Sequence, residues 1–365
     1  MLSRYRRYLV LMASLLLATP LVVGIVKPDS PTSIFREGRS LAPAPKTPAT
    51  VREWLTLSAK IDSYLQDHFG LRQFLIRTNR DLTKPLLGAG NDSVLVGRNG
   101  RMFYLGQEAV RQSAGLVLRD LGVSDTVDLL AAMKDALMAR GIHFLVAVPP
   151  NAATIYQDDL PRWAQNLGRK TEYDVLLEKL AKRDVQAVDL RPAITAARSD
   201  RSLYYMHDTH WSASGALAAF NAIVEADAHR DWRLDPKSAL GPPIVRKGGD
   251  LARMFGVEDK AAEDIRELEL PSGQKDLLSS EVFGDYVATS KRAGPTVMIL
   301  GDSFTDIFFA PMLLQHAAKV VWLDDRVCGF DWKAIDRFHP DEVWWMPNER
   351  LLICRPGVRP LDFAG

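Results

Sequence analysis

The sequence predicts an α/β protein: a mostly parallel sheet with helices packed on both faces. Two observations predict it. From Ser124 onward, short apolar runs of strand length alternate with amphipathic runs of helical period. Parallel strands buried on both faces read as continuous apolar segments, and βα alternation produces such sheets. Gly301-Asp302-Ser303 also stands between an apolar run and a helical one, at the carboxyl end of a strand, where ligand sites of such sheets gather.

In chain order, Arg4, Arg6 and Arg7 precede an apolar run from Tyr8 to Val26, closed by Lys27. Its length approaches the ~20 residues that cross a bilayer as a helix. The basic flank predicts a cytoplasmic N-terminus and a body outside the cytoplasm. An anchor over residues 1–27 is expected. A cleaved signal peptide is the rival reading, though no convincing small-x-small site lies near Gly24. Residues 28–50, rich in Pro, Ser, Thr and Ala, read as a linker, and residues 51–365 as the functional domain.

Residues 51–90 look helical, with Trp54, Leu57, Ile61, Tyr64 and Leu65 at helical spacing and a break near Gly70. Val94–Val96 and Arg101–Tyr104 flank Arg98-Asn99-Gly100 and predict a hairpin. Ser124 is placed to cap a helix carrying Val127, Leu130, Ala131, Leu137 and Met138, with Gly141 ending it. Strands are expected at His143–Val148, Val185–Leu190, Thr296–Leu300, Val320–Leu323 and Glu342–Met346. Helices are expected at Glu172–Arg183, from Ser212 to Ala226, and from Phe304 to about Gln315. Residues 227–290 are polar and break this rhythm, so a loop-rich insertion is expected there.

Charge excludes one class. The chain has 46 basic and 45 acidic residues, a formal net charge of +1, which does not fit a nucleic-acid binder. Cys328 and Cys354 are the two cysteines. Outside the cytoplasm they can pair, or remain two buried thiols, and their spacing makes no metal site.

Two short motifs carry chemistry. A serine at a strand-to-helix turn presents its hydroxyl beside backbone N–H groups able to hold an oxyanion. Gly301 removes a side chain where the chain turns sharply. A hydroxyl is a weak nucleophile and needs a base. His207-Asp208-Thr209-His210-Trp211-Ser212 supplies an imidazole and a carboxylate on one loop. Read alone, Asp302 or Ser303 can simply cap a helix, and the histidine loop can be a polar cap. A metal site using His207, Asp208 and His210 is a rival for which no further ligand is evident, so neither metal nor cofactor is expected.

Together, Asp208-Thr209-His210-Trp211 and the later Gly301-Asp302-Ser303-Phe304 resemble the alginate O-acetyltransferase family of the AlgJ/AlgX type, which is SGNH-hydrolase-like. The resemblance extends to Asp67-His68-Phe69-Gly70-Leu71-Arg72, the Val96–Tyr104 hairpin, Pro149-Pro150-Asn151 through Tyr156, and Gly249-Asp250-Leu251. It covers roughly residues 50–350. The serine block usually comes first in the wider superfamily, whereas here Asp208 and His210 precede Ser303. This permuted order, shared by the acetyltransferase branch, favours it over an ordinary esterase. One departure from the branch is Asn151-Ala152 after the prolines, where a Lys is common.

The resemblance implies Ser303 as nucleophile, His210 as base and Asp208 as its orienting acid, passing acetyl to an exported polysaccharide. It implies a flavodoxin-like sheet and an inner-membrane anchor holding the body in the periplasm. It also implies two kinds of partner: a membrane-bound acyltransferase that donates acetyl, and exopolysaccharide secretion components. The polysaccharide-binding C-terminal module of AlgX-like members is expected to be absent. Gly301, Arg326 and Asn348 are candidates for the oxyanion or the substrate, and Trp211 for stacking on a sugar. A carbohydrate acetylesterase, and a polysaccharide-binding component that keeps an idle triad, are the alternatives.

Overall fold

The computed structural model describes residues 44–48, 50–67, 90–198, 203–227, 229–278, 284–326, 328 and 332–354, with isolated positions before residue 20. Among the described residues no helix is long and apolar enough to cross a membrane. Most of the Tyr8–Val26 run, most of the linker, Gly70 and the His68–Arg72 part of its motif lie outside them.

The chain divides into two units, one of Met1–Ser93 with Ala252–Glu258, the other of Val94–Leu251 with Asp259–Gly365. The first contains the helix Val51–Asp67 (α1), on which Trp54 and Ile61, expected on an apolar face, are exposed. Among the described residues, the second contains every strand and all the candidate site residues.

Its strands are β1 (Val94–Val96), β2 (Met102–Tyr104), β3 (His143–Val146), β4 (Leu240–Lys247), β5 (Ala262–Leu268), β6 (Gln274–Leu277), β7 (Tyr286–Thr289), β8 (Thr296–Gly301), β9 (Lys319–Asp324) and β10 (Glu342–Met346). The main sheet runs β3-β10-β8-β9-β7-β6. Its first four strands are mutually parallel, while β7 and β6 add antiparallel at one edge, so the sheet is mixed. β1 and β2 form the expected hairpin, whose turn sets Asn99 and Gly100 at φ 60° and 80°. Asn-Gly tolerates this left-handed pair where other dipeptides resist it.

The helices in order are α2 (Ala109–Ser113), α3 (Asp120–Met138), α4 (Ala152–Ile155), α5 (Glu172–Ala181), α6 (Arg191–Ala197), α7 (Ala213–Ala226), α8 (Pro236–Ala239), α9 (Asp250–Phe255, crossing into the first unit), α10 (Ser303–Asp306), α11 (Phe309–Leu313) and α12 (Lys333–Phe338). Side chains alternate across each strand. Leu145, Ile299, Trp322 and Trp344 therefore pack with α7, α10 and α11 on one face. Phe144, Met298, Val343 and Trp345 pack with α3 and α5 on the other. Thr171 caps α5 in a reciprocal box with Asp174, and Ser212 caps α7 through the Gly215 amide.

Several expectations need correction. α3 begins at Asp120, and Ser124 bonds back to the Asp120 carbonyl instead of capping the helix. Met138 on that helix is exposed, while Gly141 does end the turn, at φ 73°. Val185–Leu190 contributes only a bridge from Ala187 to Val146. Asp189 turns onto the Arg191 amide, and α6 begins at Arg191 with Pro192 in its first turn, so the ladder stops. The helix expected after Ser303 is two short ones, α10 and α11. The insertion at 227–290 is not mainly loop: β4 and β5 pair as a separate antiparallel ribbon, and β6 and β7 complete the main sheet. β5 and β6 are polar and largely exposed, and β7 is only four residues long, so none of them forms an apolar run. Cys328 and Cys354 are disulfide-bonded, with Cα atoms 5.4 Å apart.

Candidate active site

Ser303 follows β8 at the carboxyl edge of the parallel strands and opens α10. Asp302 organises this turn, although it is fully buried. Its Oδ1 accepts from the Phe304 amide at 2.9 Å and its Oδ2 from the Asn348 amide at 2.9 Å. Burial raises the Asp302 pKa. A Cβ on Gly301 would meet Thr305 Oγ1 at 2.1 Å, so only glycine lets α10 fold back on the strand end.

The histidine loop is fixed from both sides. Tyr204 and Trp211 bridge antiparallel, and the Tyr205 amide donates to the His210 carbonyl at 3.2 Å. Asp208 and His210 therefore sit in a tight reversal delivered to the Ser303 edge by the N-cap of α7. Ser303 Oγ lies 2.8 Å from His210 Nε2, and His210 Nδ1 lies 2.7 Å from Asp208 Oδ1. With the Nδ1 proton donated to Asp208, Nε2 is left to accept from the serine hydroxyl.

The other Asp208 oxygen is held by Arg246, which the sequence did not mark, and by Asp250 of the Gly249-Asp250-Leu251 motif. Arg246 Nη2, from β4, donates to Oδ2 at 2.7 Å, and the Asp250 amide donates to it at 3.2 Å. The Arg246 guanidinium lies over the Tyr205 ring at 4.0 Å. Asp250 accepts from the Thr209 amide at 2.7 Å and from its hydroxyl at 2.5 Å. Gly249, at φ 140°, makes this approach possible, since a Cβ there would meet the His207 carbonyl oxygen at 2.1 Å.

These contacts set the charges. Burial opposes ionisation of Asp208, but His210 and Arg246 together hold it well below the usual carboxylate range. Burial likewise opposes the His210 cation, and Asp208, with Asp250 behind it, more than offsets this and raises its pKa. Asp250 is raised by burial and by the Asp208 charge. An acceptor nitrogen on a serine hydroxyl, backed by a fixed carboxylate, is the arrangement that nucleophilic acyl chemistry requires.

The remaining candidates separate. Trp211 is fully buried, donates from Nε1 to the Phe304 carbonyl at 2.8 Å and packs on Phe304 and Phe309. It is a core residue tying the histidine loop to α10, and no sugar can stack on it. Arg326 folds onto Asp324 with bonds of 2.6–2.9 Å. Asn348 is buried, with its amide donating to the Pro149 carbonyl and its oxygen accepting from Arg350. It braces the turn behind Ser303.

The Phe304 and Thr305 amides are taken by Asp302. Among the described residues, that leaves the Ser303 amide as the donor in this turn without a partner. Sequence reasoning also missed Arg350. Its guanidinium lies 5.3 Å from the Phe304 ring and 5.6 Å from the Tyr104 ring. No carboxylate pairs with it among the described residues. It lines a small open cleft with Asp208, Thr209, Asn151, Ala152 and Tyr104.

The rival metal set does not assemble, because His207 turns to Glu263 at 3.5 Å. Asp208, His210 and Asp250 lie close enough to share an ion, but the Arg246 cation already occupies Asp208.

The mixed sheet flanked by helices, with Ser303, His210 and Asp208 at its edge, fits the SGNH-hydrolase-like class. The chain belongs to the family described as "SGNH hydrolase-like domain, acetyltransferase AlgX", whose model matches residues 94–353. It is 22% identical over 263 residues to "Probable alginate O-acetylase AlgJ" of Pseudomonas aeruginosa, covering 66% of this chain and 65% of that one. Against the Pseudomonas putida protein of the same name it is 24% identical over 141 residues, 39% of this chain and 35% of that one. The chain thus spans less than two thirds of these curated relatives. In fold it is similar to a DHHW family protein from Eubacterium siraeum, with TM-score 0.51, 15% identity and coverage of 73% and 94% of the two chains. It is also similar to Bacillus cereus PatB1 bearing a sulfonyl adduct, with TM-score 0.50, 14% identity and coverage of 73% and 99%.

Proposed function

We propose that this protein is an O-acetyltransferase that moves acetyl to hydroxyls of an exported polysaccharide through an acetyl-Ser303 intermediate. The observation that carries the proposal is the hydrogen-bonded chain from Asp208 through His210 to Ser303. Family membership supports acyl transfer as the reaction class.

His210 Nε2 takes the Ser303 proton as Oγ attacks the acetyl carbonyl. The Ser303 amide and the Arg350 cation face the developing oxyanion. His210 then protonates the departing donor, leaving acetyl on Ser303. A sugar hydroxyl next gives its proton to His210 and attacks the ester, and the product leaves with Ser303 restored. Asp208 keeps the imidazole in the required tautomer throughout. The acetyl donor would be a membrane-bound acyltransferase, and the acceptor an exopolysaccharide handled by secretion components. The apolar run Tyr8–Val26 supports anchoring in the inner membrane with the site in the periplasm.

The His210 side chain is 27% exposed, so water can also reach the intermediate, which favours an acetylesterase as the second reading. The purified protein incubated with an activated acetyl ester, with and without oligosaccharide acceptors, separates the two by product mass. Acetylated sugar supports transfer, and acetate alone supports hydrolysis. An unchanged Ser303→Ala protein in both assays overturns the nucleophile.

A further inference from the structure

The parallel strands start at the edge opposite Ser303, and a second cluster lies there. β3 and β10 are in register, which sets His143 directly across from Glu342. The C-terminal end of α7 reaches the same edge with its C-cap, Asp227, followed by His229. His229 Nε2 is 2.8 Å from Glu342 Oε1 and 3.9 Å from Asp227 Oδ2. Ligand atoms of Asp227, His229 and Glu342 all fall within 4.8 Å of one another.

We infer that Asp227, His229 and Glu342 form a zinc site, separate from the acetyl-transfer chemistry and independent of that reading. Each of the three side chains is anchored by a neighbour that leaves one atom facing the common gap. Asp227 Oδ1 is occupied by His143 Nε2 and by Gln186 Nε2, each at 2.7 Å. Its Oδ2 is buried and has no hydrogen-bond partner. A buried carboxylate oxygen without a partner is costly, and a cation beside it removes the cost. Glu342 Oε2 accepts from Trp344 Nε1 at 3.0 Å, while Oε1 and His229 Nε2 share a hydrogen bond of 2.8 Å that an ion between them would replace. The His229 ring is clamped on Trp232, with centroids 4.1 Å apart.

Ligands about a tetrahedral zinc, each at roughly 2.0–2.2 Å from the ion, stand about 3.3 Å from one another. The two separations from His229, 2.8 and 3.9 Å, bracket that value. An imidazole with two carboxylates suits zinc better than calcium or magnesium, which take oxygen sets. The carbonyl end of α7 adds a favourable dipole for a cation. The ion would join the first residue of β10 to the end of the helix whose other end carries the His210 loop.

The test counts zinc by mass spectrometry on the full chain, stripped with chelator and dialysed against buffered zinc, while following the melting temperature. The expected result is one zinc per chain with a higher melting temperature, both retained in His210→Ala. Asp227→Asn should bind at least about tenfold more weakly, as losing a ligand requires. Cobalt loading of the parent and of His210→Ala should give the visible ligand-field bands of a tetrahedral site, a readout that does not depend on Asp227→Asn folding. A parent without zinc, zinc that survives Asp227→Asn, or cobalt bands that vanish in His210→Ala would each overturn the site. In those cases the cluster is a hydrogen-bonded His–carboxylate pair only.

Discussion

Arg246 donates to Asp208 Oδ2 across 2.7 Å, on the oxygen that His210 leaves free. The guanidinium reaches the site from the β4 ribbon, so a strand outside the main sheet fixes the acid of the proposed relay. Truncation should therefore disturb chemistry before it disturbs folding. Arg246→Met should lower kcat by about 10–100-fold with little change in KM, because an acid held at one oxygen orients the imidazole less well. It should also move the acid limb of the pH–rate profile upward, since a cation near His210 is gone. Arg246→Lys should recover part of the rate. Loss of stability with an unmoved pH profile would show that Arg246 only supports the fold.

His210 must be neutral at Nε2 to accept the Ser303 proton. Its pKa is raised by Asp208 and Asp250 against burial, so the rate should fall as pH drops through a midpoint above that of an ordinary imidazole. Asp250→Asn removes one of the raising charges. The acid limb should then shift to lower pH, measured as kcat/KM for an acetyl ester between about pH 5 and 8. An upward shift would contradict the assignment.

Glu349 makes a stability prediction. It is fully buried and accepts from the Asn151 amide at 2.7 Å and from Thr154 Oγ1 at 2.6 Å, yet burial pushes its pKa up to about 7. The folded state therefore holds this proton more tightly than the unfolded state does. Its stabilising contribution is complete below the ordinary glutamate pKa and is lost as pH rises through about 7. Glu349→Gln should flatten that decline, by on the order of 2 kcal/mol between pH 5 and 8. Urea unfolding of parent and variant across this range measures the difference.

Trp211→Phe tests whether this ring belongs to the core. It removes the indole donor from the Phe304 carbonyl and part of the packing on Phe309. Stability should fall by about 1–3 kcal/mol. The KM for an oligosaccharide acceptor should change no more than that for a small acetyl ester. A selective rise in the acceptor KM would return Trp211 to the substrate.

Arg350 has no carboxylate partner among the described residues and faces the cleft beside Phe304. Arg350→Met should lower kcat for an acetyl ester by roughly 10–100-fold, the usual scale for one oxyanion donor or somewhat below it. An unchanged kcat with a raised acceptor KM would assign the cation to the sugar instead.

The parts of this protein legible in its sequence are those set by neighbours along the chain. Thr296–Leu300 reads as a buried strand, Gly301 as its exit and Ser212 as the start of a helix, because local pattern and turn chemistry fix them. Asp208 and His210 share one loop, so their pairing needs only two residues of chain. Asp250 stood in the Gly249-Asp250-Leu251 motif without a role, and Arg246 and Arg350 lacked any such signal. Arg246 lies on a polar ribbon whose sequence resembles loop, and Arg350 follows a strand like any surface arginine. Trp211 shows the opposite error, since an aromatic beside a candidate catalytic histidine looks like a platform until its burial is known.

Local pattern suffices for the layered α/β class, the order of the motifs and the choice of Ser303, His210 and Asp208 as candidates. That Ser303 meets His210, that Arg246 and Asp250 hold Asp208, and that His143, Asp227, His229 and Glu342 converge at the far edge follow only from the folded chain. The difference lies in distance along the chain. Periodicity and capping act over a few residues, whereas charge, burial and hydrogen bonding depend on which remote segments the sheet brings within about 3 Å.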